Sequence, residues 1–176
     1  CIRNAAAEEL LPRFNAVDIA LKADGSIVTE ADHAMQNRLL AELGRQFPGF
    51  ALLGEEMSET GQLAALQSGA TGVWVLDPLD GTSNFAIGVL APLQFLVFAV
   101  SLALVEQGRV SLGVVYDPIR DECFHALRGA GAWLNDEPLG KRCPLTPLRR
   151  GIAMVDYKRL PGDLARRSGV SGQRLP

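Results

Sequence analysis

Apolar residues at Ile2, Ala6, Leu10 and Phe14, spaced by alanines, predict a helix over 2–14 that kinks or ends near Pro12. A second helical period runs from Thr29 to Gln46, with Met35, Leu39, Leu40, Leu43 and Phe47 on one face. Thr29-Glu30-Ala31-Asp32 fits a capping box at its start, and Pro48-Gly49 stops it. Between the two helices, 22–26 reads as a turn and Ile27-Val28 as a short extended piece. The pattern then changes. Phe50–Leu53 is a short buried strand, Gly61–Gln67 a helical turn, and Val73–Leu76 a strand that breaks at Pro78. Three longer apolar runs follow at Phe95–Val105, Val110–Tyr116 and Glu122–Leu127, separated by Glu106-Gln107-Gly108 and Asp117-Pro118. They predict an antiparallel meander, continued past Gly129-Ala130-Gly131 by Trp133-Leu134-Asn135. One more strand is expected at Gly151–Val155 and a weak helix at Lys158–Arg167. Helices first and strands afterwards argue an α+β fold, with helices packed on a largely antiparallel sheet.

Composition narrows the function classes. A chain of 176 residues, 48% hydrophobic and 21% charged, is long enough for one domain with a real core. The net charge of −3, without a Lys/Arg stripe, argues against a nucleic-acid partner. The most apolar run, Phe95–Val105, is too short to cross a bilayer, so no membrane role is expected. Cys1, Cys123 and Cys143 are odd in number and lack metal-type spacing, which suits reduced thiols in the cytoplasm.

The candidate chemistry lies in Trp74-Val75-Leu76-Asp77-Pro78-Leu79-Asp80-Gly81-Thr82-Ser83-Asn84-Phe85. Closely spaced carboxylates at the end of a strand suit a hard cation such as Mg2+, which prefers oxygen ligands and shares its sphere with water and phosphate. Pro78 stiffens the turn, Gly81 permits close backbone approach, and N–H groups at Gly81-Thr82 can cradle an anion if a helix starts there. Glu55 follows Phe50–Leu53 as Asp77 follows Val73–Leu76, so pairing of the two strands would bring both acids to one edge. Three carboxylates would then gather with no Lys or Arg close in sequence to neutralise them, an arrangement a cation stabilises. Each residue also has a plainer role: turn chemistry for the Asp, Pro and Gly, and capping alone for Asp32. Glu56 reads as a solvated neighbour or a group supporting the ligands rather than a ligand, Cys123 as a small buried or half-buried side chain, His125 as a surface or hydrogen-bonded group, and Trp74 and Trp133 as core.

Gly54-Glu55-Glu56 followed by the Asp77-Pro78-Leu79-Asp80-Gly81-Thr82 element closely resembles the inositol monophosphatase family of magnesium-dependent, lithium-sensitive phosphatases. Lys22-Ala23-Asp24-Gly25-Ser26 resembles its mobile loop; Gly113–Pro118 and Gly129–Asn135 resemble its later strand and glycine turn. The resemblance implies the N-terminal part of a layered α/β/α/β/α sugar-phosphatase fold and hydrolysis of a small phosphate ester by Mg2+-activated water. It implies that Glu55, Asp77 and the Leu79 carbonyl bind one metal, and that Asp77 and Asp80 bind a second. Thr82, paired with Asp32, would orient the water with help from Glu55; Gly81 and Thr82 N–H groups would hold phosphate, and Asp80 would touch substrate. A homodimer is also implied. A haloacid-dehalogenase-type site is disfavoured, because there the second acid follows two residues after the first rather than three.

The resemblance runs to about Tyr157, so 1–157 is expected to form the metal-binding domain and 158–176 the start of a link to a C-terminal α/β domain largely absent here. No acid follows Asp163 to stand for the family's later Trp-Asp metal ligand, and 87–95 is longer and more apolar than the family pattern. A truncated, non-catalytic metal-binding or regulatory member is therefore the alternative. The substrate branch stays open among inositol monophosphate, fructose 1,6-bisphosphate, histidinol phosphate and adenosine 3′,5′-bisphosphate.

Overall fold

The computed structural model describes residues 1–14, 16, 18–22, 27–68, 70–87 and 98–140. The expected features at 151–155 and 158–167, most of 87–95, and Cys143 lie outside these residues. A compact unit spans Cys1–Leu139. Helix α1 covers Ile2–Glu9, and a 3-10 turn at Leu11–Arg13 with Pro12 in its first turn ends the first helical segment. Strands β1 (Ile19–Leu21) and β2 (Ile27–Thr29) pair antiparallel, with Leu21 opposite Ile27. The sequence pattern does not show β1, whose three residues are all exposed and carry no alternation.

Helix α2 (Glu30–Gln46) starts where the capping pattern places it. Thr29 is its extended N-cap, the reciprocal Thr29–Asp32 contacts of a capping box are present, Glu30 and Asp32 sit in the first turn and Arg45 in the last. Its buried face carries Met35, Leu39 and Leu43, together with the polar Asp32 and Gln36. Phe47 leaves the helix as its C-cap and packs 5.4 Å from the Trp74 ring.

The main sheet follows chain order: β3 (Phe50–Gly54), β4 (Gly72–Asp80), β5 (Ala99–Glu106), β6 (Arg109–Asp117), β7 (Glu122–Leu127), β8 (Gly131–Leu134) and β9 (Glu137–Pro138). Only β3 and β4 are parallel, joined by helix α3 (Glu59–Gln67); the remaining pairs are antiparallel. The expected meander is present. One strand boundary differs from expectation: β4 does not break at Pro78 but continues to Asp80. Asp77 pairs with Ser101 and Asp80 with Ala99, so the extra residue forms a bulge. Proline has no N–H to give a ladder, and a bulge is where a sheet tolerates it.

The core lies between α1, α2 and one face of the sheet, around Met35, Leu39, Trp74, Leu76, Leu102 and Tyr116. Trp133 is not part of it: the ring stacks on His125 at 5.4 Å and 12°, and His125 Nε2 lies 2.9 Å from the Asn135 carbonyl. Strand alternation sends Val75, Val115 and Phe124 to the other face. With Leu139 they border an open apolar groove of about 460 Å3 that Asp77 also lines.

One close approach sets how α2 meets the β3 end. A Cβ on Gly54 would stand 2.2 Å from Gln36 Oε1, and that oxygen accepts the Glu56 N–H at 2.9 Å. Gln36 is 4% exposed, so its amide has nowhere to swing. Gly54→Ala is expected to cost about 1–3 kcal/mol, by overpacking and by loss of the Glu56 hydrogen bond. Chemical denaturation of the two proteins checks this, and equal midpoints would contradict it.

Candidate active site

The parallel register of β3 and β4 places Gly54 opposite Leu76, and Glu55 N–H then donates to the Leu76 carbonyl at 3.0 Å. Two acids that follow these residues in step, Glu55 and Asp77, must therefore emerge together. Both line a cleft of about 230 Å3 with Leu53, Gln62 and Val75. Burial, then the charge of Glu55, push the Asp77 carboxyl up to about 7; the Leu79 N–H pulls the other way. Asp80's charge and a hydrogen bond shared with Glu55 add to the rise. Asp80 itself is exposed, beyond the bulge.

Beyond Asp80 the chain turns sharply. Gly81 has φ +89°, a left-handed conformation open to glycine, and helix α4 (Thr82–Ile87) begins at the next residue. Phe85 anchors α4: it is fully buried, with its ring 5.6 Å from Phe14 and 5.0 Å from Phe98. That anchor holds Thr82 in place. Thr82 Oγ1 lies 3.0 Å from Asp32 Oδ1 and 2.9 Å from the Leu79 carbonyl, with one proton for two acceptors. Asp32 Oδ2 accepts both the N–H and the hydroxyl of Thr29, each at 2.7 Å. Asp32 thus caps α2 with one oxygen and meets the Thr82 hydroxyl with the other.

A run of hydrogen bonds links these groups. Leu79 N–H donates to Asp77 Oδ1 at 3.1 Å, the Leu79 carbonyl faces Thr82, and Thr82 reaches Asp32. The residues singled out from sequence thus adjoin one another, with differences in detail. Among the described residues no three His, Cys, Asp or Glu side chains gather closely enough to hold one ion. Glu55 and Asp77 form a pair, and Asp80 adds charge beside it. The neutralising cation that the local sequence lacks comes from 33 residues away: Lys22 Nζ lies 3.1 Å from Glu55 Oε1 and 2.5 Å from Glu56 Oε1. Glu56 is not solvated, since its side chain is 7% exposed. Lys22 opens the stretch that resembles the family's mobile loop, but no periodicity or spacing pairs it with Glu55 and Glu56.

The donor chemistry of this site suits a hard divalent cation. Two carboxylates that share a hydrogen bond, with a third acid and a main-chain carbonyl close by, are oxygen ligands of the kind Mg2+ takes.

Comparison with known proteins shows the family. The model of the inositol monophosphatase family matches residues 2–156. The chain belongs to the inositol monophosphatase family. An inositol-1-monophosphatase of Mesorhizobium japonicum is 40% identical over 123 residues, 70% of this chain and 42% of that protein. The Nus factor SuhB of Pseudomonas aeruginosa is 40% identical over 129 residues, 73% of this chain and 44% of that protein. The chain therefore spans less than half the length of these relatives. Among solved structures, an IMPase/NADP phosphatase complexed with Mg2+ and phosphate superposes with a TM-score of 0.59 at 26% identity, covering 78% of this chain and 47% of that one. The inositol monophosphatase fold follows from these matches, and the α+β reading with it. Among the described residues no helix is long and apolar enough to cross a membrane.

The raised Asp77 sets a pH dependence for the metal-free protein. The folded chain holds a proton there up to about 7, whereas an unfolded Asp releases it near 3.8. Ionising Asp77 thus works against folding, and stability falls as pH rises between those values. With solvent screening of a half-exposed group, the expected gain for Asp77→Asn in chelator is about 1 kcal/mol at pH 8, or roughly 2–4 °C in melting temperature. The gain should shrink towards pH 4. Thermal melts across that range check it, and parallel curves for the two proteins would contradict it.

Proposed function

We propose that this chain carries the metal-binding portion of a Mg2+-dependent phosphate monoester hydrolase acting on inositol monophosphate or a related small polyol or sugar phosphate. The observation that carries this reading is the Asp32–Thr82 hydrogen bond standing beside the Glu55–Asp77 pair, linked to it through Leu79. Glu55, Asp77 and the Leu79 carbonyl would hold one cation, and Asp77 with Asp80 a second. Bound there, the ions supply charge to the phosphate oxygens and lower the pKa of a water.

The chain's own groups do the rest. The Thr82 hydroxyl would give its one proton to Asp32 Oδ1, leaving the Leu79 carbonyl available to a cation. Its lone pairs are then free to take a hydrogen bond from the attacking water, with Glu55 as a second acceptor. Asp32 cannot turn away, because Thr29 holds its other oxygen. First-turn N–H groups of α4, at Gly81 and Thr82, would bind phosphate oxygens. Asp80, exposed at the end of β4, would meet the polyol. Water attacks phosphorus directly and no phosphoenzyme forms. Lithium inhibition, a homodimer and a cytoplasmic location rest on family membership alone.

A second reading, a metal-binding or regulatory member without turnover, has one observation in its favour: no three acidic side chains gather among the described residues. Mg2+-dependent phosphate release from inositol 1-phosphate separates the two, with fructose 1,6-bisphosphate, histidinol phosphate and adenosine 3′,5′-bisphosphate alongside. Turnover is expected to vanish in Asp77→Asn. In Thr82→Ala it should fall about 100-fold in kcat while Mg2+ binding persists. Normal turnover by Asp77→Asn would overturn the assignment, and Mg2+ binding without turnover in the parent chain would favour the second reading.

A further inference from the structure

We propose that Gln36 is a positioning residue of the acidic site: its buried amide fixes the backbone that carries Glu55, so that one turn of α2 sets both Glu55 and the Asp32–Thr82 pair. The inference rests on the metal-site reading above and adds a residue that reading does not use.

Asp32 and Gln36 are four positions apart and therefore lie on one face of α2, one turn from each other. That face is otherwise built from Ala31, Met35, Leu39 and Leu43, and the two polar side chains are 2% and 4% exposed. Polar groups buried so deeply cost stability unless they are paired. Asp32 Oδ1 takes the Thr82 hydroxyl, and Gln36 Oε1 takes the Glu56 N–H at 2.9 Å. Neighbouring side chains of one helix thus reach the turn after β4 and the turn after β3.

Glu55 stands between two residues that meet Gln36. Gly54 leaves room for the amide, since a Cβ there would be 2.2 Å from Oε1, and Glu56 donates to it. Gln62 of α3 holds the same turn from another side, donating to the Gly54 and Glu55 carbonyls at 3.3 Å each. Those bonds are longer, and α3 buries no residue, so the Gln36 contact is the firmer of the two. Carboxylates serve a cation only when their supports hold them to within about 0.5 Å of the productive geometry. Loosening Gly54–Glu56 should therefore weaken metal binding in a chain that still folds.

Titration calorimetry with Mg2+ alone and hydrogen exchange of the Glu56 N–H test this on the wild type, Gln36→Met, Gln36→Glu and Asp77→Asn. Gln36→Met keeps the length of the side chain without an oxygen acceptor; it is expected to bind Mg2+ about tenfold more weakly and to exchange the Glu56 N–H faster. Gln36→Glu retains an acceptor at the same reach and should recover both. Wild-type affinity in Gln36→Met would overturn the inference, and so would weakened binding with the Glu56 N–H as protected as before. If Gln36→Met does not fold, the wild type decides: protection of the Glu56 N–H comparable to that of the Thr29 N–H on Asp32 supports the contact, and exchange at the rate of a free amide overturns it. Wild-type affinity in Asp77→Asn would instead remove the metal-site reading itself.

Discussion

A carboxylate that is 2% exposed must spend its oxygens on donors, and Asp32 does so on two separate elements. Oδ2 closes the cap that starts α2, and Oδ1 takes the Thr82 hydroxyl at the head of α4. Removing either donor would leave a buried charge short of a partner, a larger penalty than the bond itself is worth. The start of the long core helix and the turn after β4 are therefore tied to one side chain. Phe85 completes the tie by seating α4 against Phe14 and Phe98. The polar side of the site is as firmly built as the apolar core beneath it.

The acids opposite are brought together by topology, and their partners, Lys22 on Glu55 and the Leu79 N–H on Asp77, come second. Parallel pairing of β3 with β4, in the register that sets Gly54 against Leu76, leaves Glu55 and Asp77 adjacent. Burial and mutual charge then hold Asp77 well above the usual carboxylate range. Repulsion stored in this way is what a bound cation would relieve, which is the physical ground of the metal-site proposal. The bulge at Pro78-Leu79 contributes as well, since it lies between the half-buried Asp77 and the exposed Asp80.

Much of this was legible in the residues. The capping box, the period of α2, the meander from β5 to β8 and the adjacency of Glu55 with Asp77 all follow from local patterns and spacing. Contacts between distant segments were not. Lys22 meets Glu55 and Glu56 across more than thirty positions, and the strand just before it is too short and too exposed to leave a pattern. Trp133 reads as core by residue type, yet β8 lies far along the sheet, where the ring is only partly buried and finds His125 instead. Pro78 reads as a strand end because proline interrupts a ladder; a bulge there is a tertiary outcome that spacing does not encode. For Asp32, local reasoning weighs a cap against a contact with Thr82, and the carboxylate makes both, one with each oxygen.

The central claim is that Glu55 and Asp77 share a divalent cation. Anomalous difference density from crystals of this chain soaked in Mn2+ tests it most directly. The account predicts a peak within coordinating distance of both carboxylates. Density at another place, or none between those two side chains at saturating Mn2+, would contradict it.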